Sequence, residues 1–144
     1  MVEVPSAAFL TRELSRLVDF FSIGTNDLTQ YLLAADRTNP ALADLQDALH
    51  PAVVRSIRMV TGAARAAGRR VAVCGELAGD PAGALVLVGL GADELSADAG
   101  SLDEIRYHLA NVDFADLETL AAKALESHDA AAVRAHAATL LSPL

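Results

Sequence analysis

Short apolar runs alternate with longer amphipathic stretches along this chain. Val2 to Val4 predicts a strand closed by Pro5. Ser6 then caps a predicted helix to about Leu17, with Phe9, Leu10, Leu14 and Leu17 on one face. Phe20 to Ile23 predicts a buried strand that ends at Gly24, and Asn26 or Asp27 caps a short helix over 28–35. The segment ADRTNPALADLQDALHP, residues 35–51, has the punctuation of a polar loop. Pro51 opens a helix to Ala67 with Val53, Val54, Ile57, Val60 and Ala64 on its apolar side. Gly68 stops it, and Arg69 and Arg70 sit at its negative end. A strand begins at Val71 and turns at Gly75; Asp80 and Pro81 open a helix that Gly89 and Gly91 end. Asp93–Ser96 predicts a brief strand. Ser101 caps a helix to about Leu109 with Glu104 in the capping-box position, and two helices follow near 114–125 and 129–141.

Strands separated by helices imply an α/β fold with parallel strands and helical crossovers. The strands are short and apolar, as expected where both sheet faces are covered. The reading is one domain over 1–144: four β/α units over 1–111 and C-terminal helices over 112–144. A length of 144 residues suits one domain with a real core, and 53% hydrophobic with 4% aromatic residues makes that core aliphatic. A net charge of −8 argues against a nucleic-acid backbone or an anionic membrane as partner. It leaves room for a small anion held by a few placed cations. One cysteine, Cys74, rules out an internal disulfide and fits a reducing compartment. No apolar window reaches the ~18 residues of a membrane span, and MVEVPSAAFL lacks the basic start of a signal peptide. A cytoplasmic protein is expected.

Ligands of parallel α/β folds sit beyond the carboxyl ends of the strands. Here those ends carry Glu3, then Gly24-Thr25-Asn26-Asp27, then Cys74-Gly75-Glu76, then Ser96-Ala97-Asp98. Each has a plainer reading. Asp27 serves equally as a helix cap, Cys74 as an inert core thiol, Glu3 as a solvated charge, and Arg37 as the surface partner of Asp36. Glu76 and Asp80 read as turn and cap residues, with Glu76 placed to orient a site. His50, His108, His128 and His136 lack metal-ligand spacing with cysteine or carboxylate and read as structural or solvated.

SIGTNDLTQY, LAADR, CGELAGD and the opening VEVPSA together resemble the phosphoenolpyruvate-binding C-terminal domain of Enzyme I. These are the phosphoenolpyruvate–protein phosphotransferases of the bacterial sugar phosphotransferase system. Pyruvate phosphate dikinase and phosphoenolpyruvate synthase share the core motifs, but LAADRTNP followed by HPAVVRSI, and the tail NVDFADLETLAAKAL, look like Enzyme I. The resemblance implies the last four strands of a TIM-like (β/α)8 barrel: Glu3 ends the fifth, Asp27 the sixth, Cys74 lies at the seventh and Ser96 at the eighth. It implies Mg2+ bound by Glu3 and Asp27, phosphate bound by Asn26 and Arg37 with Thr25 nearby, and Cys74 as the acid that protonates the enolate carbon. The chemistry suits these types. Magnesium takes one or two protein carboxylates plus waters and substrate oxygens. A guanidinium grips phosphate bidentately, and thiols titrate close enough to working pH to deliver a proton.

Three family parts have no counterpart in these residues: the phosphoryl-accepting histidine domain, the helical segment that docks the phosphocarrier protein, and the first half of the barrel with two further arginines. The isolated chain is therefore expected to be inactive or nearly so. The family's LSMSAxSI is here LSADAGSL, which puts the Asp98 carboxylate where a neutral group is expected. A half-barrel leaves open edges at 2–4 and 93–96, so a fragment of a longer protein or an obligate oligomer is expected. The alternatives are a non-catalytic module that dimerises through this domain, and a piece of a dikinase or synthase.

Overall fold

Helix and strand succeed one another in the order the hydrophobic pattern predicts, except near the N-terminus. The computed structural model describes residues 1–141. Strands β1 (Phe20–Gly24), β2 (Arg70–Cys74) and β3 (Glu94–Ser96) form a parallel sheet in that order. Gly24 pairs with Cys74, and Cys74 with Ser96, so the three strands end level. The expected strand over 2–4 is reduced to one parallel bridge. Val2 N donates to Ser22 O at 2.7 Å and Gly24 N donates to Val2 O at 3.0 Å. Pro5 explains the truncation: it has no N–H for a ladder and begins helix α1 (Pro5–Phe9) at once. The described sheet thus has three strands and a bridge, not four strands.

The single helix predicted from Ser6 is also two pieces, α1 and α2 (Thr11–Leu14). Val4, not Ser6, takes the cap position, with no side-chain cap. At the break, the Thr11 hydroxyl donates to Ala8 O at 2.8 Å, a back-bond that commonly bends helices. The side turned inward carries Ala8, Thr11 and Ser15, whereas Phe9, Leu10 and Leu17 stay exposed.

The other elements lie close to their predicted positions. Helix α3 (Thr25–Leu33) follows β1 directly, with Gly24 in the cap position and no side-chain cap, so neither Asn26 nor Asp27 is a cap. A 3-10 turn, Pro40–Leu45, lies inside the polar loop. Helix α4 (Pro51–Ala66) is capped by His50, whose Nδ1 accepts from Ala52 N at 3.1 Å. Helices α5 (Glu76–Gly79) and α6 (Pro81–Gly89) follow β2, and the Asp80 carboxylate caps α6 by accepting from Ala82 N at 3.1 Å. Helices α7 (Leu102–Ala110), α8 (Phe114–Glu126) and α9 (Ala130–Ala138) complete the described chain.

The core is aliphatic. Ile23, Val71 and Val73 meet Val53, Val54, Ile57 and Val60 of α4 on one face of the sheet. Helix α6 is buried on nearly every side, as an all-apolar helix must be. Gly89 lets α6 approach α8 closely: a Cβ there would strike the carbonyl of Leu117. The expectation of two covered sheet faces fails. Phe20, Ser22, Ala72 and Cys74 alternate with the core residues and point to the other side, where Phe20 is exposed. Among the described residues no helix is long and apolar enough to cross a membrane.

Candidate functional site

Level strand ends bring chemistry-bearing residues to one edge of the sheet. Cys74 ends β2 on the uncovered face, half-buried, beside Gly24 of β1. Its thiol lies 3.5 Å from Ile23 O and 3.9 Å from the Ser22 hydroxyl. It is therefore not a thiol lost in hydrocarbon. On the far side of Gly24 lies Glu3. A Cβ on Gly24 would fall 2.8 Å from Glu3 Cγ and 2.9 Å from Oε1, so the Glu3 side chain fills the space a Gly24 side chain would need. Paired residues of parallel strands project to the same face. The acid and the thiol accordingly flank one glycine on one face.

The turns after β1 and β2 are bound to each other. Thr25, fully buried, donates its hydroxyl to Cys74 O at 3.0 Å. Asn26 uses both ends of its amide on Glu76: Oδ1 accepts from Glu76 N at 3.0 Å and Nδ2 donates to Oε1 at 3.4 Å. Gly75 makes this closeness possible at φ 106°, ψ 177°, a conformation nearly confined to glycine. A Cβ there would collide with Thr25 Oγ1 and lie 2.8 Å from Asn26 Oδ1.

Asp27 lies in the first turn of α3, and Arg37 approaches it at 4.0 Å. With 52% of its side chain exposed, Arg37 is held weakly by this pair and has donors to spare for an anion. The structure thus brings Glu3 and Cys74 together around Gly24, and Thr25 and Asn26 against the turn after β2. Asp27 and Arg37 meet beside the first turn of α3. Among the described residues no group of three or more His, Cys, Asp or Glu forms a ready metal cage. The carboxylates of Glu3, beside Gly24, and of Asp27, in the first turn of α3, are still the type and number of ligands that Mg2+ takes from protein.

Asp98 folds back on its own turn. It accepts from Ser101 Oγ at 2.8 Å and Gly100 N at 2.9 Å, and these bonds hold its carboxyl below the usual carboxylate range. This replaces the predicted capping box: Ser101 serves Asp98, and Glu104 instead lies 3.7 Å from the buried His108. Asp98 still lines a hollow of about 520 Å³ with Asn26, Gly75, Glu76 and Ser96.

A larger cleft of about 880 Å³ opens beside it, lined by Asn26, Arg37, Gln46, Asp47, Glu76 and Arg134 among others. Arg134 was not among the residues singled out in the sequence. It donates from Nε and Nη2 to both Asp47 oxygens at 2.9 and 3.0 Å, and from Nη1 to Asp80 at 2.6 Å. Burial raises the Asp47 carboxyl, but hydrogen bonds from Arg134 and the Leu49 amide outweigh it and leave it lowered. Asp47 and Arg134 lie 87 positions apart, so no local pattern announces the pair.

Residues 1–114 match the family described as PEP-utilising enzyme, PEP-binding domain. A Salmonella typhimurium protein named "Phosphoenolpyruvate-dependent phosphotransferase system" is 43% identical over 98% of the chain and 19% of its own length. A "Multiphosphoryl transfer protein" of Xanthomonas campestris is 51% identical over 94% of the chain and 16% of its own. A "Phosphoenolpyruvate-protein phosphotransferase" of Haemophilus influenzae is 47% identical over 92% of the chain and 23% of its own. The chain thus spans roughly a fifth of the length of these relatives. With the family matched over most of its residues, the chain belongs to the PEP-utilising enzymes, as their PEP-binding domain.

Proposed function

We propose that the chain is the C-terminal part of the PEP-binding barrel of a phosphoenolpyruvate–protein phosphotransferase. The observation that carries this is the level pairing of Gly24 with Cys74, which sets Glu3 and the thiol on one face beside the Thr25–Asp27 turn. In this reading the three strands and the Val2 bridge are the last portion of a (β/α)8 barrel, and the uncovered sheet face is its lumen. The chain acts in the cytoplasm. It works with a phosphocarrier protein that docks on regions outside these residues, and as a dimer.

Arg37 and Asn26 hold the phosphate of phosphoenolpyruvate, with the α3 N-terminus and Thr25 beneath it. Glu3 and Asp27 hold Mg2+, which offsets charge on the transferring phosphoryl group. As that group passes to a protein histidine, its P–O bond breaks and the electron pair stays on the enol oxygen. Cys74 then gives its proton to the methylene carbon, forming the C–H bond of pyruvate and leaving a thiolate. Asn26 must give up part of its hold on Glu76 when substrate enters.

A chimera tests this: the matched segment of the Salmonella relative is replaced by this chain, and pyruvate formation from phosphoenolpyruvate and Mg2+ is measured. The chimera is expected to turn over, and its Cys74→Ala form to lose about 10²–10⁴-fold, the usual worth of a general acid. Equal rates with and without the thiol would remove Cys74 from the chemistry. A second reading is favoured by exposed Phe9, Leu10 and Leu17 and by β3, which pairs on one side only: a module that pairs with a copy of itself. A monomer by light scattering would dismiss it.

A further inference from the structure

The loop between α3 and α4 carries Arg37 near its start and Asp47 near its end. At its start, Arg37 N donates to Gln30 Oε1 at 3.0 Å. Across its waist, Gln46 Nε2 donates to Asp36 O at 2.7 Å. At its end, Arg134 of α9 grips both Asp47 oxygens, and its remaining nitrogen reaches Asp80, the cap of α6. One guanidinium therefore ties the loop that bears Arg37 to the turn that follows Cys74 and Glu76. Helix α9 is already anchored by buried Val133 and Ala137, so Arg134, 44% exposed, is not needed to fill the core. It stands in the wall of the same cleft as Arg37. Without it, Asp47 and Asp80 would face each other unneutralised in a cleft that also holds Asp44 and Glu76. That charge would push the loop outward and repel an anion. Arg134 also lies beyond residues 1–114, which match the PEP-binding family.

We propose that Arg134 is a positioning residue. Its fork on Asp47, relayed by Gln46 to Asp36, fixes the backbone at Arg37 and so the cation that meets the anionic substrate. The identity of that substrate rests on the function proposed above. The planar fork is what matters, because lysine supplies the charge but cannot grip both oxygens of Asp47 and reach Asp80.

The test uses amide hydrogen exchange of the 144-residue chain, together with its titration by phosphoenolpyruvate and Mg2+. In Arg134→Ala, exchange at Arg37, Thr38 and Gln46 is expected to rise at least tenfold, while β1 and β2 keep their protection. Phosphoenolpyruvate affinity should fall about tenfold. Arg134→Lys should loosen the loop nearly as much, and Asp47→Asn should do so from the other side of the fork. Unchanged loop exchange in Arg134→Ala and Asp47→Asn would overturn the proposal. So would a loosened loop with unchanged affinity, or wild-type behaviour of Arg134→Lys. If the unsubstituted chain binds no phosphoenolpyruvate, the exchange data alone decide the role of Arg134, and the function reading is decided separately by the chimera.

Discussion

Replacing Gly75 by alanine puts the turn between β2 and α5 under a load that can be worked from the structure. At φ 106°, ψ 177° an alanine carries strain of about 1–3 kcal/mol. Its Cβ also strikes Thr25 Oγ1 and lies 2.8 Å from Asn26 Oδ1 and 3.3 Å from Asn26 N, which is backbone and cannot swing away. The turn must shift, and the bonds Thr25–Cys74 and Asn26–Glu76 lengthen or break, at about 0.5–1.5 kcal/mol each. A total loss of roughly 2–6 kcal/mol follows, which lowers Tm by about 5–20 °C for a chain of this size. Urea unfolding at constant m gives the value. In a Thr25→Ala background one clash is gone, so the two penalties should fall short of additive by about 1 kcal/mol. A Gly75→Ala midpoint within about 0.5 kcal/mol of the parent would refute the reasoning.

Other outcomes are equally specific. Gly24→Ala keeps an allowed backbone (φ −89°, ψ 96°), so stability should change by less than about 1 kcal/mol. Its Cβ evicts the Glu3 side chain, however, and Mg2+ should bind about tenfold more weakly, a change of about 1.4 kcal/mol that calorimetry reads. Gly89→Ala drives a Cβ into the Leu117 backbone and should cost about 1–3 kcal/mol in urea unfolding. The Asp47 carboxyl is lowered in the folded chain, so its stabilising effect is complete above its ordinary value of 3.8 and is lost as pH falls through the lower folded value. Exchange in loop 36–47 should therefore accelerate on acidification below about pH 4, and Arg134→Ala should remove the part of that step due to Asp47, leaving the part due to Asp36, whose carboxyl is lowered by its bonds to Thr38.

How much of this was legible in the sequence depended on how local each cause is. The cap at Asp80 reaches an amide two residues on and was readable, as was the apolar side of α4, whereas Asp129, read as part of the last helix, is its cap. The order of elements came from periodicity, and the strand-end residues followed from that order. Glu3 beside Gly24 depends on a bridge of one residue, and the strand drawn around it was too long because Pro5 ends the ladder. The capping box at Ser101 lost to a competitor three residues upstream, Asp98, whose carboxylate accepts better than a serine hydroxyl. Apolar Phe9, Leu10 and Leu17 carried a helical period without a partner to bury them, so the pattern indicated the wrong face. Arg134 was invisible because its two carboxylates come from distant turns that only the fold assembles.

The central proposal is that Glu3, Asp27, Arg37 and Cys74 serve one site at one edge of the sheet. Mn2+ in place of Mg2+, added to the 15N-labelled chain with phosphoenolpyruvate, tests it most directly, because paramagnetic broadening reports proximity to the metal. The account predicts that signals of Glu3, Gly24, Asp27 and Cys74 vanish first and together, with Arg37 shifting as the anion binds. Broadening confined to exposed acids such as Asp103 and Asp116, with Glu3 and Cys74 untouched, would contradict it.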